Sequence, residues 1–116
     1  MNTIRELAAG LILLLAAVAA APATQPGPAT HSSAVTITID NFNFTPKVVT
    51  IAPGTTVTWI NHDDVPHTAT AKGKSHAFDS NPLDTDDKFT FTFTTAGTYD
   101  YYCKVHPHMT GTIIVK

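Results

Sequence analysis

The chain has 116 residues, 14 % of them charged, and a formal net charge of −2. That is one domain at most, without the basic footprint of a nucleic-acid or anionic-membrane binder. One cysteine excludes an internal disulfide framework, and six histidines are more than so short a chain requires.

Residues 1–23 read as a secretory signal peptide. Arg5 precedes an apolar run over residues 7–21, which is shorter than the ~20 residues of a membrane-spanning helix. Ala21-Pro22-Ala23 then fits an A-x-A cleavage site. The folded part is therefore expected in the periplasm, with no membrane span in the mature form. Residues 24–33 are rich in Pro, Gly, Thr and Ser and read as a flexible leader in which His31 is a solvated bystander. The domain occupies residues 34–116.

Short strands follow. Val35, Ile37 and Ile39 alternate with threonines, which predicts a half-buried strand. Residues 41–46 turn the chain, with Phe42 and Phe44 as two aromatic anchors. Residues 47–51 and 55–61 are the next strands, the latter placing Val57 and Trp59 on one face, with Trp59 in the core. Residues 62–66 form a polar loop holding Asp63 and Asp64, beside which His62 reads as solvated. A short strand is expected over residues 67–71. Residues 72–87 are a long connection with an acidic solvated face, tethered by Phe78 and Leu83, and His76 in it is exposed. Phe89, Phe91 and Phe93 alternate with threonines, the cleanest strand signal in the chain. Residues 98–103 form another strand with Tyr99, Tyr101 and Cys103 on one face, and residues 111–116 form the last. No helical periodicity or repeat is present. Seven or eight short strands between turn signals predict an all-β sandwich or barrel. With roughly 90 residues left after the signal, its core is modest.

The chemistry concentrates at Cys103, His106 and Met109. Exported domains usually pair their cysteines; a lone one is an intermolecular bridge, a reactive thiol, or a thiolate held by metal. Cys103 ends a strand and the chain must return at once into the next, so one short turn presents all three side chains to a single point. Pro107 stiffens it by restricting the backbone of His106. Thiolate, imidazole and thioether together suit copper in both oxidation states, whereas thioether is not a usual zinc donor. A His₂Cys set with weak axial Met needs one more histidine. His67 fills it better than His62 because it begins a strand after Pro66, where its direction is fixed. His106 is preferred to His108, whose side chain points away from that of its neighbour Met109 in an extended segment.

The chain resembles the cupredoxins, the type 1 blue copper proteins, and among them the amicyanin branch of the plastocyanin-like group. The resemblance rests on residues 57–61 (VTWIN) with Pro66-His67, on Ala77-Phe78-Asp79-Ser80, on Phe89-Thr90-Phe91-Thr92-Phe93, and on Ala96-Gly97-Thr98-Tyr99. Above all it rests on the spacing Cys103-x-x-His106-Pro107-x-Met109. It implies an eight-stranded Greek-key β-sandwich with one type 1 copper ion held by His67, Cys103, His106 and Met109. It also implies that Asn61 helps to pin the ligand loop and that the backbone N–H of Thr68 bonds the thiolate. Electrons would leave through the exposed edge of His106, and His106 would protonate and leave copper(I) at mildly acidic pH. The chain departs from the branch at Lys104, where a hydroxyl residue normally meets the asparagine, and at His108, where the branch has Phe.

The expected function is single-electron transfer between periplasmic redox proteins by a monomeric carrier. A dehydrogenase, a c-type cytochrome or an oxidase is the partner class. The alternative is a copper-binding or delivery protein without an electron-transfer role. An enzyme is not expected, since Met109 has no part in nucleophilic catalysis by Cys103.

Overall fold

The computed structural model describes residues 33–73 and 76–116. The expected signal peptide and the leader, apart from Ser33, lie outside them. Eight strands are present: β1 (Ala34–Asp40), β2 (Asn43–Thr45), β3 (Val48–Ile51), β4 (Thr55–Asn61), β5 (Thr70–Ala71), β6 (Lys88–Phe93), β7 (Gly97–Tyr102) and β8 (Thr110–Val115). They form two four-stranded sheets, ordered β2-β1-β4-β6 and β3-β8-β7-β5. Every connection from β2 to β7 crosses from one sheet to the other, the Greek-key winding of a β-sandwich.

Alternation of side chains builds the core. Along β4, Thr55, Val57, Trp59 and Asn61 are buried while the residues between them are half exposed. Ile37 and Ile39 of β1, Tyr101 of β7 and Ile113 of β8 are fully buried against them. Trp59 lies at the centre of an aromatic cluster with Phe78, Phe89, Phe93 and Tyr101, at centroid distances from 5.2 to 6.4 Å. Burial on this scale is the main term holding so small a sandwich together. Phe78 and Leu83 are buried, so the long connection after β5 is tied to the core.

Two local expectations are corrected. Residues 41–46 do more than turn, because residues 43–45 pair with β1 as an edge strand, Asp40 opposite Asn43. The two residues left in the turn, Asn41 and Phe42, have φ of 51° and 58°. Phe42 therefore projects from the sandwich and is 48 % exposed, whereas Phe44 is buried as an anchor. The strand expected over residues 67–71 is regular only at Thr70–Ala71. Upstream the chain makes an isolated bridge, His67 to Leu83, because its neighbour is the irregular connection rather than a full strand.

At Gly111 the limit on side-chain size is steric. It faces Tyr101 across the β7–β8 ladder, and the phenol ring lies over it. A Cβ there would meet ring atoms at a separation real contacts do not reach. Gly111→Ala is expected to cost about 1–3 kcal/mol through overpacking. A thermal melt should show this as a clearly lower midpoint, and an unchanged midpoint would contradict the packing described.

Candidate metal centre

The sandwich brings two distant pieces of chain together at one end. His67 arrives from the β4–β5 connection, where its main chain exchanges both hydrogen bonds with Leu83 (3.1 and 2.7 Å). Cys103, His106 and Met109 belong to the β7–β8 turn. That turn closes on itself: the N–H of Cys103 donates to the carbonyl of Met109 at 3.1 Å, and the N–H of Met109 donates to that of His106 at 2.8 Å. These bonds hold the main chain from Cys103 to Met109 in one closed turn.

Three donor atoms face one another. Cys103 Sγ lies 3.7 Å from His67 Nδ1 and 3.9 Å from His106 Nδ1, and the two nitrogens are 3.2 Å apart. A point equidistant from all three lies about 2 Å from each, a metal–ligand length. Among the described residues this trio is the one group of His, Cys, Asp and Glu able to hold an ion. His67 and Cys103 are fully buried, Met109 is buried beside them, and His106 is half buried. His62 and His108 are exposed and not part of the trio; His62 faces Asp86 at 3.8 Å.

The protonation of His67 follows from its other nitrogen. Nε2 lies 2.7 Å from Asp63 Oδ2, and a carboxylate only accepts, so Nε2 carries the proton and Nδ1 presents its lone pair. Asp63, placed by the sequence only in a polar loop, is thus the partner that holds the His67 ring. Burial alone would raise its carboxyl, but the N–H groups of Phe42, Asn41 and His67 outweigh burial and hold it below the usual value. Its spacing four residues ahead of His67 is the one signal that could have marked it.

The thiolate has its own support. The N–H of Thr68 donates to Cys103 Sγ at 3.3 Å. Asn61 turns inward on its own loop instead of reaching the ligand turn. Its Nδ2 donates to the carbonyls of Val65 and Leu83 at 2.9 and 2.8 Å, and its Oδ1 accepts from the N–H of Asp63 at 2.9 Å. It fixes the run-in to His67. Pinning of the ligand turn passes to Thr68, whose Oγ1 accepts the N–H of Lys104 at 2.8 Å. The relay then closes through Thr70 to Asp79, which also takes the Lys104 ammonium at 2.5 Å. Because Asp79 only accepts, Thr70 gives it the proton and Thr68 donates to Thr70.

Partial burial would raise the Asp79 carboxyl, yet Lys104, Asn81 and Thr70 outweigh it and hold it low; the same carboxylate holds Lys104 above its ordinary value. A depressed carboxyl contributes stability above its unfolded value, near 3.9, and loses it as pH falls through the folded value. The raised Lys104 contributes below its unfolded value and loses it as pH rises through the folded one. Asp79→Asn should therefore flatten part of the acid limb of thermal midpoint against pH in the metal-free chain. Parallel limbs for the two proteins below about pH 5 would contradict the ring.

The described part of the chain also matches known proteins. The family of copper binding proteins, plastocyanin/azurin family, matches residues 31–116. The chain is 35 % identical over 88 residues to amicyanin of Paracoccus versutus, covering 73 % of this chain and 67 % of that one. A copper(I) structure of an amicyanin mutant superposes with a TM-score of 0.67 at 30 % identity, over 72 % of this chain and 82 % of the other. The purple cupredoxin of Nitrosopumilus maritimus does so with 0.66 at 35 % identity, over 71 % and 99 %. The donor set agrees with this independently, since one sulfur and two imidazoles, with a methionine closing the same turn, suit copper rather than zinc. The chain therefore belongs to the plastocyanin/azurin family of copper-binding proteins, as a cupredoxin similar to the amicyanins.

Proposed function

We propose that the protein carries single electrons between redox proteins, with His67, Cys103, His106 and Met109 as the ligands of one type 1 copper ion. The observation that carries this is the triangle of Nδ1, Sγ and Nδ1 atoms held ready by bonds outside it. Copper bound there would supply the one-electron couple, soft sulfur favouring the reduced ion and imidazole the oxidised one. The chain's own part is to keep the donors still. Asp63 fixes the ring of His67, Thr68 bonds the thiolate, and the turn that holds Cys103 and His106 is closed by its own main chain. Little would then have to move when an electron arrives, which would keep the barrier to transfer low.

Access to the site is one-sided. His67 is buried, while His106 is partly exposed and shares the rim with Phe42 and Val105, each 48 % exposed. Electrons would pass through the edge of His106 to a partner with a matching apolar surface, such as a dehydrogenase, c-type cytochrome or oxidase, met by the monomer. Export to the periplasm is the setting that the N-terminal apolar run supports, and no helix among the described residues is long and apolar enough to cross a membrane. A role as carrier rather than enzyme fits the full burial of Cys103, which leaves its sulfur out of a substrate's reach. The second reading, copper binding and delivery, uses the same ligands and predicts fast release of copper(I) to a chelator.

Addition of copper(II) should produce an intense thiolate-to-copper absorption that bleaches reversibly on reduction, and Cys103→Ser should abolish it. A wild-type chain that binds copper(II) without that band refutes the assignment. The midpoint potential supplies a further test. Among the described residues only His106 of the two imidazoles is without a carboxylate partner and partly exposed, so it would be the ligand to give way to a proton in the reduced state. Protonation of the reduced form alone stabilises that form. The potential should therefore rise as the solution is acidified from neutral, and a flat line would exclude this behaviour.

A further inference from the structure

The turn between β1 and β2 is built against the preference of its residues. Two-residue hairpins with positive φ at both positions favour Asn-Gly, because glycine meets no steric penalty there. Here Asn41 is followed by Phe42 at φ 58°. A bulky residue in the left-handed region is strained and persists only where its surroundings hold it.

Asp63 does the holding. Its Oδ1 accepts the N–H of Asn41 at 2.6 Å and its Oδ2 that of Phe42 at 2.9 Å. The same Oδ2 accepts the Nε2–H of His67 at 2.7 Å. Asp63 is itself fixed, its N–H by Asn61 and its carbonyl by the hydroxyl of Thr85 at 2.6 Å. The strained turn in return sets the Phe42 ring perpendicular to both imidazoles, 5.4 Å from His67 and 5.0 Å from His106. One carboxylate thus touches the outer nitrogen of a ligand and the backbone beneath the ring that covers both ligands.

We propose that Asp63 is a positioning residue of the copper centre. It orients His67 by its charge and acceptor oxygen, and it holds the Asn41–Phe42 turn so that Phe42 shields the two imidazoles. This rests on the copper reading above. A carboxylate on the outer nitrogen makes an imidazole a stronger donor, and loss of such a partner typically lowers metal affinity 10–100-fold. A stronger donor favours the more highly charged copper(II), so its loss favours copper(I).

The test combines Asp63→Asn, Phe42→Gly and the double variant in the full chain. Asp63→Asn keeps the shape but removes the charge and one acceptor. It should move the copper(II)/copper(I) equilibrium about tenfold toward copper(I), a rise of about 59 mV for a one-electron couple. Phe42→Gly relieves the strained φ and needs less holding. In the metal-free chain the drop in thermal midpoint caused by Asp63→Asn should be at least halved when Phe42→Gly is already present. An unchanged potential in Asp63→Asn, or equal drops in both backgrounds, overturns the proposal. A wild-type chain without the thiolate–copper band overturns the copper reading and this proposal together. The wild-type spectrum therefore separates the two failures.

Discussion

One constraint governs the molecule: the β7–β8 turn is short and closed by its own backbone, so the main chain brings Cys103, His106 and Met109 to one end of the sandwich together. Everything around it decides only whether His67 arrives at the right place. It does so because Asn61 fixes the loop from β4, and Leu83 then brackets the backbone of His67 from both sides. Thr68, the next residue, binds the thiolate through its N–H and the backbone after the thiolate through its hydroxyl. The two segments are therefore stitched together directly, through polar groups that burial makes costly to leave unpaired.

The core beneath the site is aromatic and tight. Trp59 and Tyr101 meet edge to face at 5.5 Å. Trp59 Nε1 and Tyr101 Oη are both buried without a hydrogen-bond partner. Burial pushes the Tyr101 phenol far above its usual range, offset only in part by the nearby indole, so it stays neutral at any working pH. Such orphan groups subtract from stability. A sandwich of this size has little to spare, and an ion bound only by the folded state would add to it by mass action.

Much of this was legible in the sequence. Alternation fixed the faces of β1, β4, β6 and β7, since period-two patterning reports burial directly. The spacing of Cys103, His106 and Met109 placed three donors in one turn, and the choice of His67 over His62 followed from its direction after Pro66. What escaped depends on partners remote in the chain. Asp63 sits between His62 and Asp64, and apart from its spacing to His67 nothing local distinguishes a carboxylate that accepts three N–H groups from its solvated neighbour. Phe42 looked like a core residue because aromatic residues usually are; its left-handed backbone, imposed by a contact about twenty residues away, turned it outward. Lys104 looked like the loss of a contact, yet Thr68 and Asp79 supply another. The strand after Pro66 was overread because strand propensity does not reveal that the neighbouring segment is irregular.

An electron-transfer role requires these donors to meet at one copper ion. A copper-edge X-ray absorption spectrum of the loaded protein reads the first coordination sphere directly. One short sulfur and two imidazole nitrogens are expected, all about 2 Å away, with the shell little altered on reduction at neutral pH. A shell of nitrogen and oxygen alone, with no short sulfur, would contradict that role.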